Sequence, residues 1–235
     1  MSELILVRHG QASFGAESYD KLSELGVAQV RELARHWQLM GDRFDHIISG
    51  ELLRQRETAT ELLNLVSGSP VAPEIHPAFN EYNGDPLIQI YLRDHAAAEG
   101  FADIDWPIRD SRLFQKVFEA ATAKWIKGEL KPSANDAGFE NWQDFQERVH
   151  LGLNQIMEQH SGGRRVLLST SGGVIAMALQ RVLDFPDQQV IATNWMVHNS
   201  SVTKIRYGNG KLSLTQFNSL PHLERGELRY MITYR

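Results

Sequence analysis

The chain has no cysteine. That excludes disulfide staples and thiolate chemistry, and it leaves the redox compartment open. Long apolar runs are also missing: no window reaches the roughly 20 residues that a membrane-spanning helix needs. The opening Met-Ser-Glu-Leu-Ile-Leu-Val-Arg-His-Gly has no basic stretch leading into an extended apolar segment, so it does not read as a secretory signal. Positive charge is in short supply. Lys and Arg number 24 against 29 Asp and Glu, for a net charge of −5. This balance gives no support for nonspecific binding to nucleic acid or to a membrane surface, and neither is expected as a partner. An anionic substrate would need a local basic pocket. Internal repeats, low-complexity tracts and linkers are absent as well. A soluble cytoplasmic protein is the expectation.

What is present suits an ordinary globular chain. Its 235 residues are 42% hydrophobic and 23% charged, enough for a sizeable core. Glu3 to Val7 is a short apolar run ending at Arg8-His9-Gly10, which predicts a buried strand stopping at a turn. Ser23 is placed to cap a helix whose apolar positions are Val27, Val30, Leu33, Ala34 and Trp37. Phe44 to Ile48 predicts a second strand, Glu51 to Val66 a second helix, and Val71 to Ile75 a weaker third strand. Between Asp85 and about Gly138 the pattern breaks into short helical stretches such as Leu113 to Ile126. Helical periodicity returns from Asn141 to His160, followed by a strand at Arg165 to Ser169 and an apolar helix from Val174 to Leu183. Ser201 to Tyr207 and Lys211 to Phe217 flank Gly208-Asn209-Gly210, a strong hairpin signal. The expected fold class is α/β: a three-layer α/β/α arrangement with a mostly parallel central sheet and an antiparallel edge. The chain is expected to be a single domain, residues 1–235, with a largely helical insertion at about 85–138.

In open α/β sheets, ligands bind beyond the carboxyl ends of the strands. Three motifs fall at such ends: Arg8-His9-Gly10, Ser49-Gly50-Glu51-Leu52-Leu53-Arg54, and Thr170-Ser171-Gly172-Gly173. Arg8 and Arg54 can hold a phosphoryl group through forked donor pairs. Their charge would keep His9 neutral, and only neutral imidazole is a nucleophile. Gly10 suggests a close backbone approach to a ligand. Arg54 falls in the first turn of its helix, where free N–H groups favour an anion. The other reading of Arg54 is an exposed pair with Glu51 or Glu57. His36, His46, His95, His150 and His160 show no metal-ligand spacing and are read as structural. Trp106 and Trp125 are read as packing residues rather than pocket walls.

Leu6-Val7-Arg8-His9-Gly10-Gln11 resembles the signature of the histidine phosphatase superfamily, which includes the cofactor-dependent phosphoglycerate mutases. Leu52-Leu53-Arg54 with Thr58-Ala59 resembles the second motif of that family, and Phe79-Asn80-Glu81 the segment bearing its acid/base carboxylate. Gly138-Phe139-Glu140 with Phe145 and Arg148-Val149 is similar to a further segment, although a helix cap is the preferred role for Glu140. Asn199-Ser200-Ser201-Val202 and Asn218 with His222-Leu223 resemble the C-terminal strands of the family.

The resemblance implies a metal-independent phosphomonoesterase without a cofactor, acting on a small-molecule phosphate ester; a homodimer is the prior expectation. It implies His9 as the nucleophile, Glu81 as acid and base, and Arg8 and Arg54 as the phosphate-binding pair, with Ser171 also at the phosphate. The chain departs from the family at Ser171, where a second histidine is expected before the two glycines. Losing one positioned donor of that kind costs roughly 10²–10³ in rate. Reduced activity is therefore expected, and Ser171→His is expected to raise it. His198 and His222 are candidate replacements for the missing imidazole.

Three alternatives stay open. One is a non-catalytic phospho-ligand binder, and another a mutase-like phosphotransferase. The third is a serine hydrolase, with Ser171 at an elbow-like turn followed by Asp184 or Asp187 and then His198 or His222.

Overall fold

In the computed structural model, which describes residues 1–13, 20–68, 72–101 and 104–234, the described strands form one six-stranded sheet. They are β1 (Ser2–Arg8), β2 (His46–Ser49), β3 (Glu74–Ile75), β4 (Arg165–Thr170), β5 (Val202–Gly208) and β6 (Lys211–Ser219), in the spatial order β3-β2-β4-β1-β5-β6. The pairs β1–β4, β2–β4 and β2–β3 are parallel; β1–β5 and β5–β6 are antiparallel. The described α-helices are α1 (Glu24–Met40), α2 (Leu53–Glu61), α3 (Gly84–Asp94), α4 (Ser111–Ile126), α5 (Trp142–Gln159), α6 (Gly172–Leu183) and α7 (Asp187–Met196). This is the expected α/β fold with a mostly parallel central sheet.

The continuous apolar run of β1 follows from burial on both faces. Side chains alternate across a strand. Ile5 and Val7 join Ile47, Leu167 and Val202 in a core formed with Val30, Leu33, Ala34 and Trp37 of α1 and with Ala59 and Leu62. Leu4 and Leu6 point the other way and are equally buried, as are Val166 and Leu168. α6 contacts β1 and β6, and its residues from Gly172 to Gln180 are all buried. An amphipathic stripe would not suit a helix enclosed in this way.

The chain divides into two units, Met1–Glu81 with Val149–Arg235, and Tyr82–Arg148. The insertion was expected at about 85–138. In the second unit Tyr82, Phe118, Trp125, Trp142 and Phe145 form a ring cluster. Trp125 is fully buried there and donates its Nε1–H to the Glu140 carbonyl at 2.7 Å. It is a packing residue, as read from the sequence.

Several expected boundaries need correction. Phe44 makes only an isolated bridge to Val66, and β2 begins at His46. The second helix stops at Glu61, after which Leu63–Leu65 tightens into a 3₁₀ turn. The helix starts at Leu53, and the Glu51 N–H before it donates to Asn80 Oδ1 at 2.7 Å. β3 has only two residues, and Val71 lies outside the described residues. α3 and α7 escaped the sequence reading. α3 is capped by Asn83, which accepts from Asp85 N, and it buries Leu87, Ile88, Ile90 and Tyr91. The cap of α5 is Asn141, whose Oδ1 accepts from Asp144 N at 2.9 Å. Glu140, expected to cap, instead pairs with Arg148, with Nη2 to Oε2 at 2.8 Å.

Gly10 also has a different purpose from the one its motif suggested. A Cβ on Gly10 would lie 2.4 Å from the Gly26 carbonyl oxygen, and one on Gly26 2.2 Å from the Gln11 carbonyl oxygen. The close approach is between the end of β1 and the first turn of α1. Both obstructing groups are backbone, so neither can swing aside. Gly10→Ala should therefore destabilise the protein by about 3 kcal/mol. Urea unfolding would measure it, and a loss below about 1 kcal/mol would mean that the loop and helix separate easily.

Candidate active site

The three motifs of the sequence meet at the carboxyl ends of adjacent strands. Arg8 pairs with Thr170 at the ends of β1 and β4, and Ser49 pairs with Ser169 at the ends of β2 and β4. One residue further on, His9 N–H donates to the Thr170 carbonyl at 2.9 Å. His9 and Ser171 thus leave neighbouring strands at the same level. Arg54, in the first turn of α2, closes the group by donating its Nε–H to His9 Nε2 at 3.1 Å.

This geometry selects one tautomer of His9. The Gly10 carbonyl lies 2.7 Å from Nδ1 and can only accept, so Nδ1 carries the proton. Nε2 keeps its lone pair and receives the Arg54 donor. Burial holds the His9 pKa well below the ordinary value, with Arg54 and then Arg8 pushing it the same way; the Gly10 hydrogen bond opposes them. The imidazole is therefore neutral at pH 7, with its unprotonated nitrogen towards the arginine. Around it, Thr58 Oγ1 accepts from Gly10 N at 3.1 Å and donates to the Arg54 carbonyl at 2.8 Å. Asn199 Nδ2 reaches the His9 carbonyl at 3.2 Å.

Arg54 does not pair with Glu51 or Glu57. Its Nη1 is bonded to Asp20, whose other carboxylate oxygen accepts from Leu53 N at 2.7 Å. Glu51 is held by Asn80 and Glu57 by Leu22 N. Asp20 was missed by the sequence reading; it sits in no periodic segment and lies 34 positions from its arginine. Arg8 places Nη1 on the Val197 carbonyl. Glu81 accepts from Gly173 N at 2.9 Å, at the start of α6. Its carboxylate thus takes the orphan amide of a helix N-terminus, a favourable place for negative charge. Among the described residues no group of three or more His, Cys, Asp or Glu is arranged to hold a metal ion. No described helix is long and apolar enough to cross a membrane.

Ser171 is buried and does not cap α6; its Oγ accepts from Gln55 Nε2 at 2.9 Å. The two histidines considered as substitutes are engaged elsewhere. His198 Nδ1 lies 2.9 Å from Asn218 Nδ2, and its ring rests on Tyr234. His222 is fully buried with Nε2 2.9 Å from Ser200 Oγ. Burial pushes its pKa down to about 3. It is neutral at pH 7 and cannot act as a charged donor. A serine-hydrolase triad is not assembled either, because the side-chain partner of Ser171 is an amide donor rather than a base.

The profile of the histidine phosphatase superfamily (branch 1) matches residues 4–90 and 90–220. A 2,3-bisphosphoglycerate-dependent phosphoglycerate mutase from Methylobacterium sp. (strain 4-46) is 27% identical over 194 residues, covering 77% of this chain and 80% of that protein. Among solved structures, a phosphoglycerate mutase from Bacillus anthracis str. Sterne shares the fold with a TM-score of 0.64 at 21% identity, covering 94% of each chain. A phosphoserine phosphatase from Entamoeba histolytica, solved with phosphoserine, gives a TM-score of 0.63 at 19% identity and covers 95% of this chain and 100% of its own. The profile and the curated relative support phosphoryl transfer as the class of chemistry.

The buried neutral His222 has a consequence for stability. Below the unfolded value near 6.5, the unfolded chain takes up a proton at this residue and the native chain does not until about pH 3. Stability should therefore fall as the pH drops through that window, by about 1.4 kcal/mol per pH unit from this one residue. His222→Gln keeps a polar group for Ser200 but does not titrate, so its decline between pH 6 and pH 4 should be shallower. Urea unfolding at a series of pH values checks this; parallel curves for the two proteins would show that His222 gains its proton as readily in the native state.

Proposed function

We propose that this chain, which belongs to the histidine phosphatase superfamily, hydrolyses phosphate monoesters through a phosphohistidine formed on Nε2 of His9. The observation that carries the reading is the tautomer. With Nδ1–H spent on the Gly10 carbonyl, the free lone pair is on Nε2, beside the Arg54 guanidinium.

In this reading the Nε2 lone pair attacks phosphorus, and the bond from phosphorus to the ester oxygen breaks. The Arg54 Nε–H hydrogen bond, which rests on Nε2 in the free protein, is redirected to a phosphoryl oxygen, and Arg8 supplies the second guanidinium. Glu81, ionised in the free protein, takes up the proton of a monoanionic ester and gives it to the departing alkoxide. It then takes one from the water that attacks the phosphohistidine, so that the P–N bond breaks, phosphate leaves and His9 returns neutral. Positioning and charge stabilisation supply most of the acceleration in phosphoryl transfer. No metal or other cofactor enters the scheme. Ser171 offers a hydroxyl where the family pattern has an imidazole. A charged hydrogen bond contributes about 1.5–3 kcal/mol, so turnover should be slower by roughly one to two decades than in relatives with the imidazole.

Two other readings have a specific observation behind them. The lone hydroxyl at Ser171, with Asp20 on Arg54, favours a phospho-ligand binder with little turnover. The curated relative favours a mutase-like phosphotransferase acting on a phosphoglycerate. The proposed ligand is a small-molecule phosphate ester in all three, and a cytoplasmic homodimer is the proposed setting.

The test is a panel of phosphomonoesters, phosphoglycerates with and without 2,3-bisphosphoglycerate included, given to the wild type and to His9→Ala. Inorganic phosphate should appear with the wild type and fall at least a hundredfold in the variant. Rapid quench should trap an acid-labile, alkali-stable phosphoenzyme. Phosphatase activity that survives His9→Ala undiminished would rule out the phosphohistidine route. Vanadate binding without any turnover would select the binder.

A further inference from the structure

We propose that Gln55 is a positioning residue that turns the Ser171 hydroxyl into a hydrogen-bond donor for the bound phosphoryl group, a role that rests on the reading of His9 as phosphoryl acceptor.

The argument begins with the orientation of the Gln55 amide. Gln55 is completely buried, one residue beyond Arg54 in the first turn of α2. Its Nε2 lies 3.0 Å from the Phe79 carbonyl oxygen, which can only accept. Its Oε1 takes the Leu52 N–H at 3.3 Å. A flipped amide would set oxygen against oxygen and N–H against N–H, so the orientation has one solution. Thr170 Oγ1 also donates to the Phe79 carbonyl, at 2.7 Å, which fills that oxygen's two lone pairs. The second hydrogen on Nε2 therefore goes to Ser171 Oγ at 2.9 Å.

An amide N–H cannot accept, so at this contact Ser171 is the acceptor and its own O–H proton must point elsewhere. Among the described residues the hydroxyl has no recorded acceptor, although Ser171 is 1% exposed. It is not used to cap α6. A buried hydroxyl proton without an acceptor is costly, and an anion seated beside it removes that cost. The anion's place is set by the neighbours of both residues. Arg54, next to Gln55, donates to His9 Nε2, and Thr170, next to Ser171, accepts from His9 N. A phosphoryl group on Nε2 would meet Arg54 on one side and the Ser171 hydroxyl on the other. The same packing changes the expectation for restoring an imidazole. In the present Ser171 rotamer, the ring carbon of Ser171→His would stand where Oγ stands, 2.9 Å from Gln55 Nε2, which is a hydrogen-bond distance but too short for a carbon. Ser171→His alone should slow the enzyme. Combined with Gln55→Ala, which removes the obstructing amide, it should be faster than Ser171→His alone.

A double-mutant cycle tests the coupling. The proteins are the wild type, Gln55→Glu, Ser171→Ala and the double variant. The readouts are the affinity for orthovanadate by calorimetry and the hydrolysis of p-nitrophenyl phosphate, with unfolding followed alongside. The carboxylate of Gln55→Glu cannot donate, so it accepts the Ser171 proton and withdraws it from the ligand. Gln55→Glu and Ser171→Ala should each weaken vanadate binding by roughly threefold to tenfold. In the Ser171→Ala background Gln55→Glu should add only the repulsion between its charge and the anion, so the loss in the double variant should fall short of the product of the two single losses. Additive losses would overturn the proposal, because Gln55 would then be acting independently of Ser171. So would Ser171→His faster than the wild type, or no gain from adding Gln55→Ala to it. His9→Ala separates the two layers. If it abolishes turnover while the cycle is additive, only the role of Gln55 fails. If turnover survives in His9→Ala, or the wild type does not bind vanadate, the reading of the site fails and the proposal with it.

Discussion

The hydrogen bond from His9 Nδ1 to the carbonyl of the next residue, at 2.7 Å, is the constraint on which the candidate chemistry depends. It fixes the tautomer, and with burial and two nearby guanidiniums it makes His9 a neutral base with one available lone pair. Gly10 itself is held from two sides. The Gly10 amide is held by Thr58, and its α-carbon rests on the backbone of Gly26. Thr58 in turn donates to the Arg54 carbonyl, so the residue that orients the His9 ring and the residue that faces it share one side-chain clamp. Side chains held by packing and by second contacts are what such chemistry needs, since small displacements weaken positioning sharply.

Charge in the site is more evenly balanced than two arginines suggest. Asp20 spans Arg54 and the amide of Leu53, so a carboxylate already occupies the start of α2. Glu81 does the same at the start of α6. At each of these two helix N-termini one amide already has a carboxylate partner. Any anion drawn to the Arg54 guanidinium must compete with Asp20 for it. The positive charge that a chain of net charge −5 would need for an anionic ligand is thus local, and a carboxylate already sits on Arg54.

The backbone behind His9 is tied to distant parts of the chain. Asn199 bonds the His9 carbonyl and meets Thr233, and Gln29 reaches both Thr233 and the Met231 carbonyl while its Oε1 accepts from Gln11 N. Ser200, in the left-handed region at φ 57°, turns its amide onto the Arg8 and His9 carbonyls and its hydroxyl onto buried His222. The C-terminal segment therefore takes part in holding the loop after β1. Buried hydrogen-bond networks of this kind favour one arrangement, because each broken link leaves a costly orphan.

The local patterns in the sequence were sufficient for the parallel strands, the capped α1, the hairpin of β5 and β6, and the ordering of Arg8, His9, Arg54, Glu81 and Ser171. Each depends on signals within a few residues: a strand-length apolar run, a cap, a glycine pair, a short motif. α3 and α7 were hidden because Gly, Pro and Asp near their starts read as breakers, whereas Asn83 in fact caps α3 and Pro186 precedes α7. Asp20 on Arg54, Asn141 rather than Glu140 as a cap, and Gly10 against Gly26 could not be read, since the partner in each case is chosen by packing or by competing bonds. The same is true of Ser171. Its identity was plain in the sequence, but its partner was not. Gln55 and Ser171 are separated by 116 positions, and only the closure of β2 and β4 into one sheet brings an amide and a hydroxyl to 2.9 Å. Residue types and their order are local information, whereas the direction in which a buried hydroxyl must give its proton is settled by neighbours that the fold alone supplies.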